Sequence, residues 1–347
     1  MHRPEWELPE PPGVEPVVGP RVWRLIIAVG IIVAVGLLAF YVRIPSLVAF
    51  VPGPVRDAEE LVEVEGATTY SSEGQLFLTT VSVDSSVTLV EWISSGFDPD
   101  VTVISEEDFT GGLSIEELRK RNAQQMRSSK LHAREVALGE LGLGPEGDGA
   151  RVKRTFEGLP AEGILQRGDV IVKINSEAIS TTCDVTSVLR DVGIGSEVEV
   201  TVRRKGNLET LTLTTAGHPD DPSFPVLGVL IRDVNYRFDP GLEVKIETGE
   251  IGGPSAGLMF ALALYDRLTP DDLTDGRSIA GTGTIACDGR IGAISGIEQK
   301  VAGAEEEGAE IFLVPIANAD GARDAADDIE VVPVETFDDA VSYLESL

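Results

Sequence analysis

The sequence predicts an α+β chain of several domains behind an N-terminal transmembrane helix. Three observations carry that reading. An uncharged apolar run occupies Leu25–Val42, short strands alternate with one helix over 147–216, and a longer strand–helix alternation runs from Val226 to Leu347. A chain of 347 residues can bury two or three separate cores.

Residues 1–24 are rich in proline and glutamate and read as a disordered tail. The run L-I-I-A-V-G-I-I-V-A-V-G-L-L-A-F-Y-V at 25–42 holds no charge, and as a helix it rises about 27 Å, the thickness of a bilayer core. Arg21 and Arg24 precede it and Arg43 follows, which places the N-terminus in the cytoplasm and the remainder outside. No small-residue cleavage site follows at once, so the run reads as a single-pass signal anchor in the cell membrane. Release by cleavage after Val42 is the alternative. Residues 1–43 carry as many arginines as glutamates, so the whole formal charge of −30 belongs to 44–347. Such a polyanion argues against nucleic acid or anionic lipid as a partner of the folded part.

The two cysteines, Cys183 and Cys287, fall in different predicted domains, and the expectation is that they form no disulfide framework and no metal site. The histidines His2, His132 and His218 make no H-E-x-x-H pattern, which argues against a zinc hydrolase, and no metal or cofactor is expected. No G-x-x-x-x-G-K-[ST] run occurs in these residues.

After the anchor, 43–146 reads as a mixed α/β segment. V-P-G-P breaks the helix, Val62–Val64 and Gln75–Val83 read as strands, and S-I-E-E opens a long helix over Ser114–Leu141. Arg119, Lys120 and Arg121 read as its solvated face, and His132 as a surface or packed side chain. Over 147–216 the order is strand, loop, strand, helix and then a hairpin about Lys205-Gly206-Asn207. A linker rich in Pro, Gly and Asp fills 217–225.

The order of elements over 147–216 and its core G-L-P-A-E-G-I-L-Q-R-G-D-V-I-V-K-I-N resemble a PDZ domain of the bacterial, protease-associated kind, a small β-barrel-like fold. The resemblance implies a site where an extended peptide adds as a strand beside a helix. The expected groove lies between the strand Arg151–Thr155 and the helix Thr182–Val192, with Arg151, Val152, Lys153 and Val188 as its residues. A PDZ that packs only against its own chain is the alternative.

In 226–347 the stretch E-I-G-G-P-S-A-G-L-M-F-A-L-A-L places Ser255 after two glycines and a proline, at the mouth of an apolar helix. Pro254 suits the first helical position, and Gly252 and Gly253 permit a sharp turn. Free N–H groups and the positive helix end make this a seat for a nucleophile, though for the stretch alone a capping or first-turn serine in a tight loop is the simpler reading. Further on, G-A-I-S-G-I-E-Q-K-V-A-G sets Lys300 early in a second helix among small and apolar neighbours. A desolvated lysine holds its proton weakly and can act as a base.

The two stretches together, joined by G-T-G-T-I-A-C-D-G-R-I-G-A-I and followed by F-L-V-P-I-A-N, resemble the proteolytic domain of the Lon proteases. With the anchor and the PDZ segment, the whole chain resembles the membrane-anchored PDZ–Lon proteins of Gram-positive bacteria. That resemblance implies a Lon-type α/β proteolytic domain over 226–347. It implies an ATP-independent Ser–Lys dyad of Ser255 and Lys300, with Thr282 orienting the lysine. The Ser255 N–H and a peptide N–H of the Gly252–Gly253 turn would stabilise the oxyanion. Gly252 stands where Lon enzymes usually carry an acidic residue, and Ser295-Gly296 where they carry Gly-Gly. The implied partners are peptide or protein substrates, the membrane through 25–42 and, since Lon domains often form rings, further copies of the chain. A catalytically inactive, membrane-tethered PDZ scaffold is the rival reading.

Overall fold

The structure, a computed structural model, describes residues 20–249 and 251–347. Most of the predicted tail and Glu250 lie outside the described residues. Among the described residues nine α-helices are named in chain order: α1 Pro20–Ala39, α2 Leu89–Ser94, α3 Glu106–Thr110, α4 Ile115–Glu140, α5 Thr182–Val192, α6 Gly257–Leu268, α7 Ile297–Glu306, α8 Ala319–Ala325 and α9 Phe337–Leu344. A helix therefore forms over most of the predicted anchor. Several of its side chains lie outside the described set, and among the described residues no helix is long and apolar enough to cross a membrane.

The C-terminal part is built on a five-stranded sheet in the order Arg56–Asp57, Gln75–Leu78, Ser278–Gly281, Ile311–Pro315, Glu330–Val334. All neighbours are parallel except the first pair. Parallel strands buried on both faces need near-continuous apolar sequence, and I-F-L-V-P at 311–315 is buried throughout. Alternate side chains divide between the faces. Leu76, Leu78, Ile279, Ile311 and Leu313 pack with α6, α4 and α9, whereas Phe77, Ala280, Phe312 and Val314 pack with α7 and α8.

Two of these strands come from the segment 43–146, and the strand Val62–Glu65 pairs with Glu243–Ile246. The sequence reading of 43–146 as a unit apart from 226–347 is therefore corrected. Its strands complete the C-terminal sheet, and the PDZ segment is inserted between the halves of one fold. α4 joins this fold as well. Ser114 and Glu117 form a capping box at its start. Met126, Ser129, Ala133 and Ala137 then recur at three- and four-residue spacing and bury one stripe, most of it against the apolar α6. A smaller antiparallel sheet, in the order Val81–Asp84, Leu47–Pro52, Thr102–Ser105, lies beside α7.

The PDZ sheet runs Asn207–Thr214, Glu197–Arg204, Val170–Ile174, Ala150–Thr155, Val229–Asp233. Val198, Val200 and Val202 alternate inward, and a Thr181–Asp184 capping box starts α5, which buries Val185 and Leu189. The last strand of this sheet lies beyond the expected boundary at 216. Val229–Asp233 pairs with Ala150–Thr155 and belongs to the PDZ sheet rather than to the domain that follows.

Candidate active site

Ser255 and Lys300 approach from opposite faces of the parallel sheet. Ser255 precedes α6 on one face, and Lys300 lies in the first turn of α7 on the other. They meet beyond the carboxyl end of the central strand Ser278–Gly281, where Thr282 follows directly. The crevice outside the carboxyl ends of parallel strands is where such folds hold their ligands.

Lys300 Nζ lies 2.8 Å from Ser255 Oγ and 2.9 Å from Thr282 Oγ1. Thr282 Oγ1 donates its own proton to the Ser255 carbonyl at 3.1 Å. Its lone pair then takes an N–H of Lys300, which leaves the lysine lone pair for the Ser255 hydroxyl proton. Thr282 is fixed in turn by its N–H on the Leu313 carbonyl, and the Gly283 N–H holds the Ser255 carbonyl at 2.8 Å. Lys300 is 3% exposed. Burial pushes its pKa down to about 7, and desolvation is the whole cause.

The turn before Ser255 needs its glycine: Gly253 has φ +84°, a conformation that side chains rarely adopt. The Gly253 N–H donates to the Asn122 carbonyl at 3.3 Å and is therefore occupied. Among the described residues the Gly252 and Ser255 N–H groups have no protein acceptor, which narrows the expected oxyanion donors to these two.

α4 is a part of the site that the sequence reading missed. Ser129, 3% exposed, donates its hydroxyl to the Pro254 carbonyl at 3.0 Å, directly behind the nucleophile. Lys130 Nζ caps the Ile246 carbonyl at 2.7 Å, and His132 Nδ1 lies 3.1 Å from the Ile285 carbonyl. Gly257 lets α6 approach this closely, since an added Cβ would sit 2.8 Å from Ser129 Oγ and 2.7 Å from Ile285 Cγ2. The stripe of Met126, Ser129, Ala133 and Ala137 was the available signal for a buried face. The cleft in front of Ser255, about 390 Å³, is lined by Phe50, Thr80, Val81, Asn122 and Gln125.

The expected PDZ groove is corrected. The strand Ala150–Thr155 is flanked on both sides, by Val170–Ile174 and Val229–Asp233, so no peptide can add to it. Val152 is fully buried, Val188 packs against the domain core, and Arg151 and Lys153 lie on a separate shallow surface beside Arg232. The sheet edge is Val229–Asp233. Between it and α5 lies an apolar cavity of about 330 Å³, lined by Val185, Leu189, Leu227, Val229 and Ile231.

The expectation for the cysteines is also corrected. Cys183, in the first turn of α5, and Cys287, in the turn between the strands Thr284–Ile285 and Ile291–Gly292, form a disulfide across 104 positions. Insertion of the PDZ domain brings together residues that the sequence keeps far apart. Beside the disulfide, Arg190 pairs with the buried Asp288 at 3.1 Å, and Arg290 pairs with Asp191 and Glu335.

The family model for the PDZ domain matches residues 126–215, and that for the Lon protease (S16) C-terminal proteolytic domain matches residues 242–344. A Lon protease of Mesomycoplasma hyopneumoniae is 31% identical over 118 residues, which are 32% of this chain and 13% of that protein. A Lon protease of Roseiflexus castenholzii is 36% identical over 106 residues, 29% of this chain and 13% of the other. A probable periplasmic serine endoprotease DegP-like of Pseudomonas savastanoi is 36% identical over 74 residues, 21% of this chain and 15% of that protein. Among solved structures, the PDZ domain of an SdrC-like protein of Listeria innocua is similar, with 22% identity and a TM-score of 0.23, covering 24% of this chain and 93% of that one. The chain spans about an eighth of the length of the Lon proteases it matches. The protein is thus a mixed α/β multi-domain chain with a PDZ domain and a Lon protease-type proteolytic domain.

Proposed function

We propose that the protein is a membrane-anchored serine endopeptidase that works without ATP on extended peptides or protein tails outside the cell. The carrying observation is the buried Lys300 amine, with a pKa near 7, within 2.8 Å of Ser255 Oγ. A lysine poised at working pH is matched to the task of a general base. Lys300 takes the Ser255 proton as Oγ attacks the scissile carbonyl. The oxyanion forms against the Gly252 and Ser255 N–H groups. Lys300 then protonates the leaving amine, and an acyl-enzyme on Ser255 remains. Water, deprotonated by Lys300, attacks the ester, and as the C–Oγ bond breaks Lys300 returns that proton to Ser255 Oγ, releasing the acid and restoring both groups.

The position outside the membrane draws support from the disulfide, since structural disulfides persist in oxidising compartments. The anchor reading rests on the uncharged run at 25–42. The PDZ cavity beside α5 then serves to present substrate to the cleft or to gate it.

The test is hydrolysis of an unfolded protein by the purified chain, with no nucleotide present. Wild type is expected to cut, and Ser255→Ala and Lys300→Ala to lose at least about 10³-fold in rate. Variants that cut as well as wild type would remove the dyad, and a wild type active only with added ATP would remove ATP independence.

A further inference from the structure

The excursion between the strands Val81–Asp84 and Thr102–Ser105 leaves large apolar side chains in solvent. Phe97 is 89% exposed, Ile93 54% and Trp92 49%. All three lie on α2 and the short 3-10 turn Ser95–Phe97 that continues it. Thr88 and Glu91 close a capping box at the start of α2, so the segment is formed structure that presents these groups. Contiguous apolar surface on a folded domain marks a contact.

Its place in the fold identifies that contact. The Leu89 N–H donates to the Val42 carbonyl at 2.9 Å, the Ile44 N–H to the Val87 carbonyl at 2.8 Å, and Arg43 bridges to Thr88. α2 thus begins against the residue where the apolar run of the anchor ends. Its six residues rise only about 9 Å, so the whole patch stays near that exit. Phe40 and Tyr41, both exposed, continue the apolar surface toward α1.

We propose that Trp92, Ile93 and Phe97 sit in the headgroup region of the bilayer that holds α1, as a second and interfacial membrane contact. The inference rests on the anchor reading given above. Tryptophan and other aromatic side chains favour this depth, and a short apolar segment with charged flanks lies in the interface without spanning it. Glu91, Asp98 and Asp100 flank the patch, so the lipid it suits is zwitterionic rather than anionic. With contacts at α1 and α2 the folded part cannot swing freely on one tether. Val81, which lines the cleft at Ser255, starts the strand that leads into this excursion, so the second contact sets the direction in which the cleft faces.

The test uses the full chain in phosphatidylcholine vesicles, with Trp6→Phe and Trp23→Phe leaving Trp92 as the sole tryptophan. Trp92 emission is expected to shift to the blue, to be quenched by lipids brominated near the headgroup, and to resist aqueous iodide. Adding Ile93→Ser and Phe97→Ser is expected to reverse all three, with circular dichroism confirming that the variant is folded. A companion chain with Trp6→Phe and Trp92→Phe reports on the anchor through Trp23. If brominated lipid quenches Trp23 while Trp92 stays open to iodide, the interfacial contact is wrong and the anchor stands. If neither is quenched, both fall.

Discussion

Lys300, as the proposed base, ties the proposed activity to the stability of the fold. Its amine is buried without a carboxylate beside it, and the Ser255 and Thr282 hydroxyls are its only hydrogen-bond partners among the described residues. The folded pKa of about 7 lies well below the ordinary value of 10.5. Only the neutral amine can accept the Ser255 proton, so kcat/KM for peptide hydrolysis should rise with pH through a midpoint near 7. A profile flat from pH 5.5 to 8.5 would exclude Lys300 as the base. The same displacement works against folding. Between pH 7 and 10.5 the unfolded chain holds a proton that the folded chain does not, so stability rises with pH across that window. The penalty is therefore complete at and below pH 7 and gone above 10.5. Lys300→Met, of similar volume, should be inactive yet more stable than wild type at pH 7. That advantage should shrink by roughly 1.4 kcal/mol per pH unit as pH rises through the window. Urea denaturation of both proteins at pH 7 and 9 measures it.

At the scale of elements, α4 is the helix that the sequence predicts over Ser114–Leu141, but it packs into the same core as α6 rather than into a separate unit. Its capping box and length are local signals, and S-I-E-E carries them openly. Its task depends on which helix covers its buried stripe, and that is a long-range fact. Ser129 supports the Pro254 carbonyl and Asn122 takes the Gly253 N–H, so α4 sets the turn that presents Ser255. Ser129→Ala should lower kcat by about tenfold with little change in KM, in keeping with one buried hydrogen bond of about 1.4 kcal/mol. A rise in KM at constant kcat would instead place Ser129 in substrate binding. The PDZ groove failed for a related reason. Alternation identifies Ala150–Thr155 and Val229–Asp233 as strands but cannot say which of them is the sheet edge. Only the pairing, with the first strand enclosed on both sides, decides that. Ser255 and Lys300 are legible because each stands in a short motif whose glycines and helix start are local, whereas Thr282 is singled out only by the resemblance to the Lon proteases. Which N–H of the Gly252–Gly253 turn is tied to the protein was not legible, because Asn122 lies far away in the chain.

At the scale of the whole molecule, the inserted PDZ domain is joined to the proteolytic fold by more than its two chain crossings. α5 forms one wall of the PDZ cavity, and Cys183 in its first turn is bonded to Cys287. The turn that carries Cys287 follows Thr282 and Gly283, which hold Lys300 and the Ser255 carbonyl. The path from the cavity to the dyad is therefore short and covalent, with Arg190–Asp288 and Arg290–Asp191 alongside. Closing a loop of 104 positions removes unfolded-chain entropy worth about 4.7 kcal/mol at most, and the usual effect of one disulfide is about 2 to 4 kcal/mol. Cys183→Ala with Cys287→Ala should lower the melting temperature by several degrees while the Arg190–Asp288 ion pair keeps the domains in contact. Cleavage of a short peptide too small to reach the PDZ cavity should change little at 25 °C. Cleavage of a longer substrate that occupies both sites should fall further, because α5 is then free to shift without moving the Cys287 turn. Equal losses on the two substrates would mean that the disulfide supports the proteolytic fold alone and carries nothing from the PDZ domain.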